Sequence, residues 1–383
     1  MNVYHFSAFN DTLDPIHHKS VGAVVTDSND NEGEDSRVGL DNLGNTCYLN
    51  AVVQCLANTD SLRHYFTSYD FEDDLNRSKG LIAYPLARLI RQLWTPSSDG
   101  VKRSVRPTHV RSLCDRWSSL SWGQNDAHEF CTFLLDSLHN DLNRSRLKPS
   151  AITSSAEADD DNNNSTDVHA LANSSWNEFK RFNDSIVVDL FYGQYMSAIV
   201  CSVCPKRSLK FDPFVYLSLP IPLTHKDINL RDCLDLYSAP EVLSQQNSWH
   251  CPQCRTSREA TKYSRFWRLP RILIIQLNRF CFDIKSCPEK ITSFVDFPLH
   301  NLDLSSYSLS GQLSSYDLYA VVNHYGDVNG GHYKAYAKDT NIFKGLGWRC
   351  FDDNHVDDMR PDSVITRNAY ILFYKRKDYN SHL

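Results

Sequence analysis

Gly39-Leu-Asp-Asn-Leu-Gly-Asn-Thr-Cys-Tyr-Leu-Asn-Ala-Val-Val-Gln-Cys-Leu56 is the stretch that decides how the chain is read. Leu49, Val52, Val53 and Leu56 fall at i, i+3, i+4 and i+7, so the second half predicts a helix with one apolar face. Asn45 and Thr46 are both good N-cap residues, and Gly44 lets the backbone before them turn tightly. Cys47 then opens the helix. At about 100° per residue it points away from the apolar stripe, so core packing gives no reason for it. The unpaired N–H groups and positive dipole end at a helix start favour a thiolate and give a reason. A small cysteine near the surface of an ordinary helix is the competing reading.

At 383 residues the chain has room for one large domain or two to three coupled subdomains. Its hydrophobic fraction of 41% and aromatic fraction of 12% are those of a globular protein. No apolar run approaches the roughly 18 residues of a membrane span, and Met1-Asn-Val-Tyr-His-Phe-Ser7 lacks the pattern of a secretory signal. The expectation is the cytosol or nucleus, where thiols stay reduced. The twelve cysteines are therefore candidates for metal ligation, nucleophilic chemistry or burial, not a disulfide framework. A net charge of −6 argues against a general nucleic-acid binder and is compatible with a basic protein partner.

Residues 1–36 are polar, and Asp27–Ser36 is strongly acidic. They read as a disordered N-terminal arm. Leu81–Trp94 has helical spacing. So does Asp126–His139, where Ala127, Phe130, Cys131, Leu134, Leu135 and Leu138 share a face and Asp126 with Glu129 resembles a capping box. Residues 145–175 are Asn- and Asp-rich and read as a flexible insertion, with structure resuming near Trp176. Beyond it Ile186–Phe191, Tyr195–Val200, Phe214–Leu219, Arg271–Phe280, Tyr319–Val322, His332–Ala337 and Ala369–Tyr374 read as strands. Helices first and strands second make an α+β layout.

Cys201-Ser-Val-Cys204 and Cys251-Pro-Gln-Cys254 are two C-x2-C knuckles at strand ends. Their spacing suits four thiolates on one tetrahedral zinc. A closed site of that kind is structural, because no position is left for chemistry. A redox C-x-x-C normally precedes a helix in a βαβ pattern, and neither pair does.

A cysteine nucleophile needs a base, and the base needs an orienting group. Among fifteen histidines, His332 follows Gly330-Gly331 and opens an alternating strand. Glycines there let another backbone come close. His324, without such a pair beside it, is the competitor. Trp348-Arg-Cys-Phe-Asp352-Asp353 is a short apolar strand ending in acids, and a carboxylate there can fix the imidazole tautomer. A solvated turn is the ordinary reading of the two acids. The order Cys47, His332, Asp352 matches that of papain-like cysteine proteases.

Taken together, these blocks resemble the ubiquitin-specific proteases. Gly39–Asn50 looks like their Cys box, and Asn323-His-Tyr-Gly with Gly330-Gly331-His332-Tyr333 like their His box, continued by Phe351-Asp352-Asp353. Gln124-Asn-Asp-Ala-His-Glu-Phe130, the two knuckles and Leu277-Asn-Arg-Phe280 also match, in the family's order. Thr292–Leu304 and the His box look most like the endosome-associated branch.

The resemblance implies a papain-like core with thumb (about 37–185), zinc-bearing β fingers (about 186–270) and palm (about 271–377), together one catalytic domain over 37–377. It implies one structural Zn²⁺ per chain, held by Cys201, Cys204, Cys251 and Cys254. It implies ubiquitin and ubiquitinated proteins as partners of a monomer, and hydrolysis of the bond after ubiquitin's terminal Gly-Gly through a thioester. Nucleic-acid binding and membrane insertion are not expected. The compartment would be the cytoplasm, with endosomes and the nucleus as further destinations.

By motif position, Cys47, His332 and Asp352 would be the catalytic groups. Asn42 would donate to the oxyanion, and Asp353 would assist Asp352 or position water. Gln124, Asp126, Glu129 and Tyr333 would contact ubiquitin, and Gly330 and Gly331 would leave room for its glycine tail. The chain departs from the family's usual pattern at Asn125 and at Asn278, neither of which touches the catalytic groups. A catalytically inactive ubiquitin-binding scaffold is the alternative function, although such a protein should have lost one of the three groups. A transglutaminase-like acyl transferase fits the knuckles and the Gly-Gly-His box less well.

Overall fold

The helix α1, Cys47–Ala57, forms where the spacing predicts it, but its surroundings differ from the one-faced expectation. All eleven residues are buried. The polar side chains opposite the stripe face protein, not water, and each finds backbone. Asn50 Nδ2 donates to the carbonyls of Leu40 and Asp41, both at 3.3 Å. Gln54 Nε2 donates to Val38 O at 3.0 Å. Buried amides must be paired in this way, so the polar face of α1 is what ties down the chain entering it.

The protein is described from a computed structural model covering residues 38–76, 80–95, 104–117, 123–147, 167–223, 227–281, 289–309, 315–328, 330–338 and 346–377. The proposed arm at 1–36 and most of the insertion, 148–166, lie outside the described residues. Sharing a core with α1 are α2 (Asp60–Thr67), α3 (Ala83–Trp94), α4 (Thr108–Trp117) and α5 (Ala127–Asp141). Leu86, Leu89, Ile90 and Leu93 of α3 and Phe130, Leu134 and Leu138 of α5 enter one core with α1.

Two sequence readings are corrected here. Structure resumes well before Trp176, because α6 runs over Val168–Phe182 and is capped by Asp167. Ile186–Phe191 is not a strand but a helix, α7. Its β-branched residues favour a strand, but the Ser185 hydroxyl accepts from Val188 N and four of its six side chains are buried. Packing overrides propensity in so short a segment.

Strands β1 (Gly39–Leu40) and β2 (Ser104–Val105) pair in parallel beside α1. The extended region is a four-stranded sheet of β3 (Gly193–Cys201), β4 (Arg207–Phe214), β6 (Glu241–Leu243) and β9 (Ala260–Arg268), in the order β4-β3-β9-β6. A separate hairpin, β7 (Trp249–Cys251) with β8 (Thr256–Arg258), completes it. Ala172 of α6 packs with Met196, Phe211 and Trp267 of that sheet in a small core of its own.

The large sheet has eight strands among the described residues. Its path is β17 (His355–Met359), β16 (Trp348–Asp352), β15 (Gly331–Lys338), β14 (Ser315–Gly326), β18 (Ala369–Arg376), β10 (Ile272–Asn278) and β5 (Tyr216–Pro220), with a short strand, Leu302–Asp303, on β14, while the two-residue strands β11 (Phe280–Cys281), β12 (Glu289–Lys290) and β13 (Val295–Asp296) lie outside it. It is covered on both faces. Ile272, Ile274, Ile371 and Phe373 face the helical core. Leu273, Ile275, Leu372 and Tyr374 face a second core containing the helix Leu230–Tyr237. This explains why β10 and β18 read as continuous apolar runs without alternation.

Candidate active site and metal site

The loop before α1 is built by Asn42. Its Oδ1 accepts from Gly44 N at 3.0 Å, Thr46 N at 3.2 Å and Thr46 Oγ1 at 3.3 Å. Gly44 and Asn45 both have positive φ, +93° and +54°, which reverses the chain just before the helix. Thr46 occupies the N-cap position, but its hydroxyl makes no cap bond. It accepts instead from Leu43 N at 2.8 Å. Cys47 therefore begins the helix with its thiol turned inward, at 4% exposure.

Burial pushes the Cys47 thiol up from its ordinary value. The N–H groups of Tyr333 and Tyr48 work against that rise, and the charge of Asp353 adds to it. The helix start that favours a thiolate is thus outweighed by desolvation. The hydrogen bond from Tyr333 has a further meaning. It places the thiol against β15 beside His332.

His332 Nε2 and Asp352 Oδ1 are 2.6 Å apart. With Nε2–H donated to the carboxylate, the neutral ring presents Nδ1 as its basic nitrogen. Asp352 Oδ2 lies 2.6 Å from Lys334 Nζ. Burial alone would raise the Asp352 carboxyl, but the Lys334 and His332 bonds hold it below the usual carboxylate range. Asp353 follows with φ +52°. Its oxygens accept from Asn42 Nδ2 and Asn50 Nδ2, each at 2.8 Å, and its carbonyl accepts from Leu40 N at 2.8 Å. The ligand atoms of His332, Asp352 and Asp353 lie within 4.8 Å of one another. All four carboxylate oxygens already have protein partners, so this group reads as a hydrogen-bonded relay and not as a cation site.

Beside it lies a cavity of about 450 Å³, lined among others by Gln124, Asp126, Glu129, Gly330 and Tyr333. Gln124 takes both backbone groups of Gly331: Oε1 accepts from its N at 2.9 Å and Nε2 donates to its carbonyl at 3.0 Å. Asp126 caps α5 through His128 N and Glu129 N, at 2.7 and 3.1 Å, and takes Tyr370 OH at 2.6 Å on its other oxygen. Glu129 sits on the rim, its carboxyl raised by burial and by Asp126. The glycine pair is not symmetrical. A Cβ on Gly330 would meet only Gln124 Oε1, at 3.7 Å, whereas one on Gly331 would lie 2.3 Å from His324 Nε2 and 2.3 Å from Tyr325 O. Gly331 is glycine because of the protein behind it.

His324, the competing histidine, is 4% exposed. Its ring packs edge-on against Phe280, at 5.3 Å, and beside Tyr333, at 4.6 Å. Burial, with Lys290 nearby, pulls its pKa down to about 4. It serves as a packing residue. The sequence reading overlooked Lys334 and Asn50. Lys334 is two residues along the strand from His332 and so shares its face, and Asn50 is a polar residue inside an otherwise apolar helix.

At the far end of the extended sheet, Cys201, Cys204, Cys251 and Cys254 bring their sulfurs within 4.8 Å of one another. Val203 N donates to Cys201 Sγ at 3.5 Å and Cys254 N to Cys251 Sγ at 3.4 Å. Two turns that aim N–H groups at sulfur suit thiolates gathered on a cation. The cluster could bind a metal ion.

A thiol at a helix start, an imidazole on the facing strand and a carboxylate behind the imidazole form the constellation of a cysteine hydrolase. The ubiquitin carboxyl-terminal hydrolase profile matches residues 38–374, and the chain belongs to that family. Human ubiquitin carboxyl-terminal hydrolase 2 is 36% identical over 345 residues, covering 88% of this chain and 54% of the relative. Ubiquitin carboxyl-terminal hydrolase 4 of Saccharomyces cerevisiae is 34% identical over 386 residues, covering 92% of this chain and 40% of the relative. The chain thus spans about half the length of these relatives. In fold it resembles Ubp8 of the SAGA DUB module bound to monoubiquitin, with a TM-score of 0.70, 24% identity and coverage of 90% of this chain and 70% of that one. The same module bound to ubiquitin aldehyde gives a TM-score of 0.68 at 24% identity.

Proposed function

We propose that this chain is a deubiquitinating cysteine protease that hydrolyses the isopeptide or peptide bond after the C-terminal glycine of ubiquitin. The observation that carries the reading is the 2.6 Å contact of His332 Nε2 with Asp352, on a strand whose next residue donates its N–H to the Cys47 sulfur. His332 Nδ1 takes the thiol proton as sulfur attacks the carbonyl carbon. The oxyanion accepts from the Cys47 N–H and from the Asn42 amide, which has one N–H on Asp353 and a second to offer. Such donors are worth several kcal/mol in a transition state. The tetrahedral species collapses, His332 protonates the departing lysine amine, and a thioester remains. Water, deprotonated by His332, then releases ubiquitin and the thiol. Asp352 holds the ring in the required tautomer throughout.

The cavity beside the triad is the proposed path of the ubiquitin tail, with Glu129 and Asp126 offering acids to its basic residues. The four finger cysteines would hold zinc, which would staple β3, β4, β7 and β8 where little core exists. A monomer in the cytoplasm, with a likeness to the endosome-associated branch, completes the proposal. The latter rests on Thr292–Leu304 and the His box.

The test is hydrolysis of ubiquitin carrying a C-terminal fluorophore. Wild-type chain should cleave it, and Cys47→Ala should abolish cleavage while still binding ubiquitin. Turnover by Cys47→Ala would refute the assignment. No turnover by wild type, with ubiquitin still bound, would favour the inactive scaffold.

A further inference from the structure

We infer that Lys334 is a positioning residue of the triad, fixing Asp352 so that its other oxygen is presented to His332. The inference rests on the deubiquitinase reading. Three observations carry it. Lys334 and His332 stand at i and i+2 on β15, on one face of the strand. Asp352, at the end of β16, reaches both at the same distance, 2.6 Å, with a different oxygen for each. The ammonium is itself held, lying 5.4 Å from the centre of the Tyr325 ring, whose hydroxyl bonds Tyr336 OH at 2.6 Å.

An ion pair at the surface contributes little to stability, about 0–1 kcal/mol, and these side chains are 28% and 34% exposed. The meaning of the pair lies in where it sits. A carboxylate with a single partner can rotate and exchange oxygens. One clamped at both oxygens offers a fixed acceptor to the imidazole. The ammonium also offsets the carboxylate charge, so Asp352 orients the ring without overstabilising its protonated form.

The groups facing His332 and Asp352 set the expected pH effect. They are Cys47 of α1, Asp353 after β16, Lys334 on the same strand, His324 and Tyr325 of β14, Tyr336 and Cys350 flanking Asp352, and His355, its register partner on β17. Lys334 is the permanent cation in contact with the carboxylate. Removing it leaves the carboxylate that faces the ring less compensated, so the acid limb of the rate profile would move to higher pH.

The experiment is steady-state hydrolysis of ubiquitin–fluorophore from about pH 5 to 9 by wild type, Lys334→Met, Lys334→Gln and Lys334→Arg. Thermal melts and Cys47 labelling by a ubiquitin-derived electrophile are run in parallel. Lys334→Met and Lys334→Gln should lose roughly threefold to tenfold in kcat with KM unchanged. Their acid limb should move to higher pH, and Lys334→Arg should restore both. An acid limb left in place, or a loss of kcat that arginine does not recover, overturns the inference. Should one neutral variant unfold, the other and the arginine variant decide the matter. A wild type that neither turns over nor labels at Cys47 would instead remove the underlying function.

Discussion

Replacing Gly331 by alanine tests whether the active site is as tightly braced as the structure indicates. The new Cβ would sit 2.3 Å from Tyr325 O and 2.3 Å from His324 Nε2. Normal contact requires roughly 1 Å of relief at each. The His324 ring cannot yield, being 4% exposed and wedged between Phe280 and Tyr333. Tyr325 O is backbone on β14, paired with His332 across the ladder. The first residues of β15 must therefore move. His332 Nε2 begins 2.6 Å from Asp352, and a shift of about 1 Å carries that contact beyond the roughly 3.2 Å limit of a good hydrogen bond. The paired bonds of Gln124 to Gly331 would be strained by the same motion. The expected result is a fall of roughly a hundredfold in kcat and a loss of about 1–3 kcal/mol in stability. Fluorogenic ubiquitin hydrolysis and urea melts report the two. Gly330→Ala is the control. Its Cβ meets only Gln124 Oε1, at 3.7 Å, so the fold should keep its stability and the effect should fall on KM. A Gly331→Ala enzyme with wild-type kcat and an unshifted melt would show that this backbone gives freely, and the reasoning would fail.

Two further outcomes follow from the metal site and from the buried histidines. Stripping metal with a strong chelator, or changing Cys201 to Ser, should loosen the β7–β8 hairpin and lower the first melting transition. A metal assay of purified wild type should find zinc, and a chelated protein with an unchanged melt would contradict a structural role. His128 and His324 are both buried and have pKa values pulled down to about 4, against an ordinary value near 6.5. Their stabilising contribution is complete above about pH 6.5 and drains away as pH falls from there toward 4. By pH 5 it should amount to about 2 kcal/mol lost for each residue. Urea midpoints at pH 7 and pH 5 measure this, and His128→Gln should flatten the slope. A midpoint independent of pH over that range would be the contrary result.

How far the sequence could be read depended on which force decided each segment. The helix over Asp126–His139 was legible because its apolar residues repeat with one period and its cap is local, and α5 needs nothing distant to form. The cysteine knuckles were legible for the same reason, since each is a four-residue unit. Ile186–Phe191 was not. Three of its six residues, Ile186, Val187 and Val188, are β-branched and carry a strand signal, and the helix they form is specified by Ser185 and by contacts from elsewhere. The start of α6 was hidden in a polar stretch. Its one fully buried residue, Ala172, gives no hydrophobic signal, and its carbonyl is held by Gln194 Nε2 at 3.1 Å from the neighbouring sheet.

The site shows the same division more sharply. Glycines and an alternating strand single out His332, and a helix start singles out Cys47. Neither pattern says what brings the two together across the long stretch of chain between them. That work falls to Asp353, whose side chain binds the Cys47 loop through Asn42 and α1 through Asn50, while its carbonyl takes Leu40 N. A carboxylate so placed has a cost. It raises the pKa of the thiol it helps to position. Both of its anchors are neutral amides, which hold a carboxylate without cancelling its charge. A lysine in place of Asn50 would neutralise Asp353, but its four-carbon stem does not fit a seat only 2% exposed, where the short amide reaches the Leu40 and Asp41 carbonyls of the entering strand. The pair of asparagines therefore answers to geometry first and electrostatics second, and a reading of charges along the sequence passes over it.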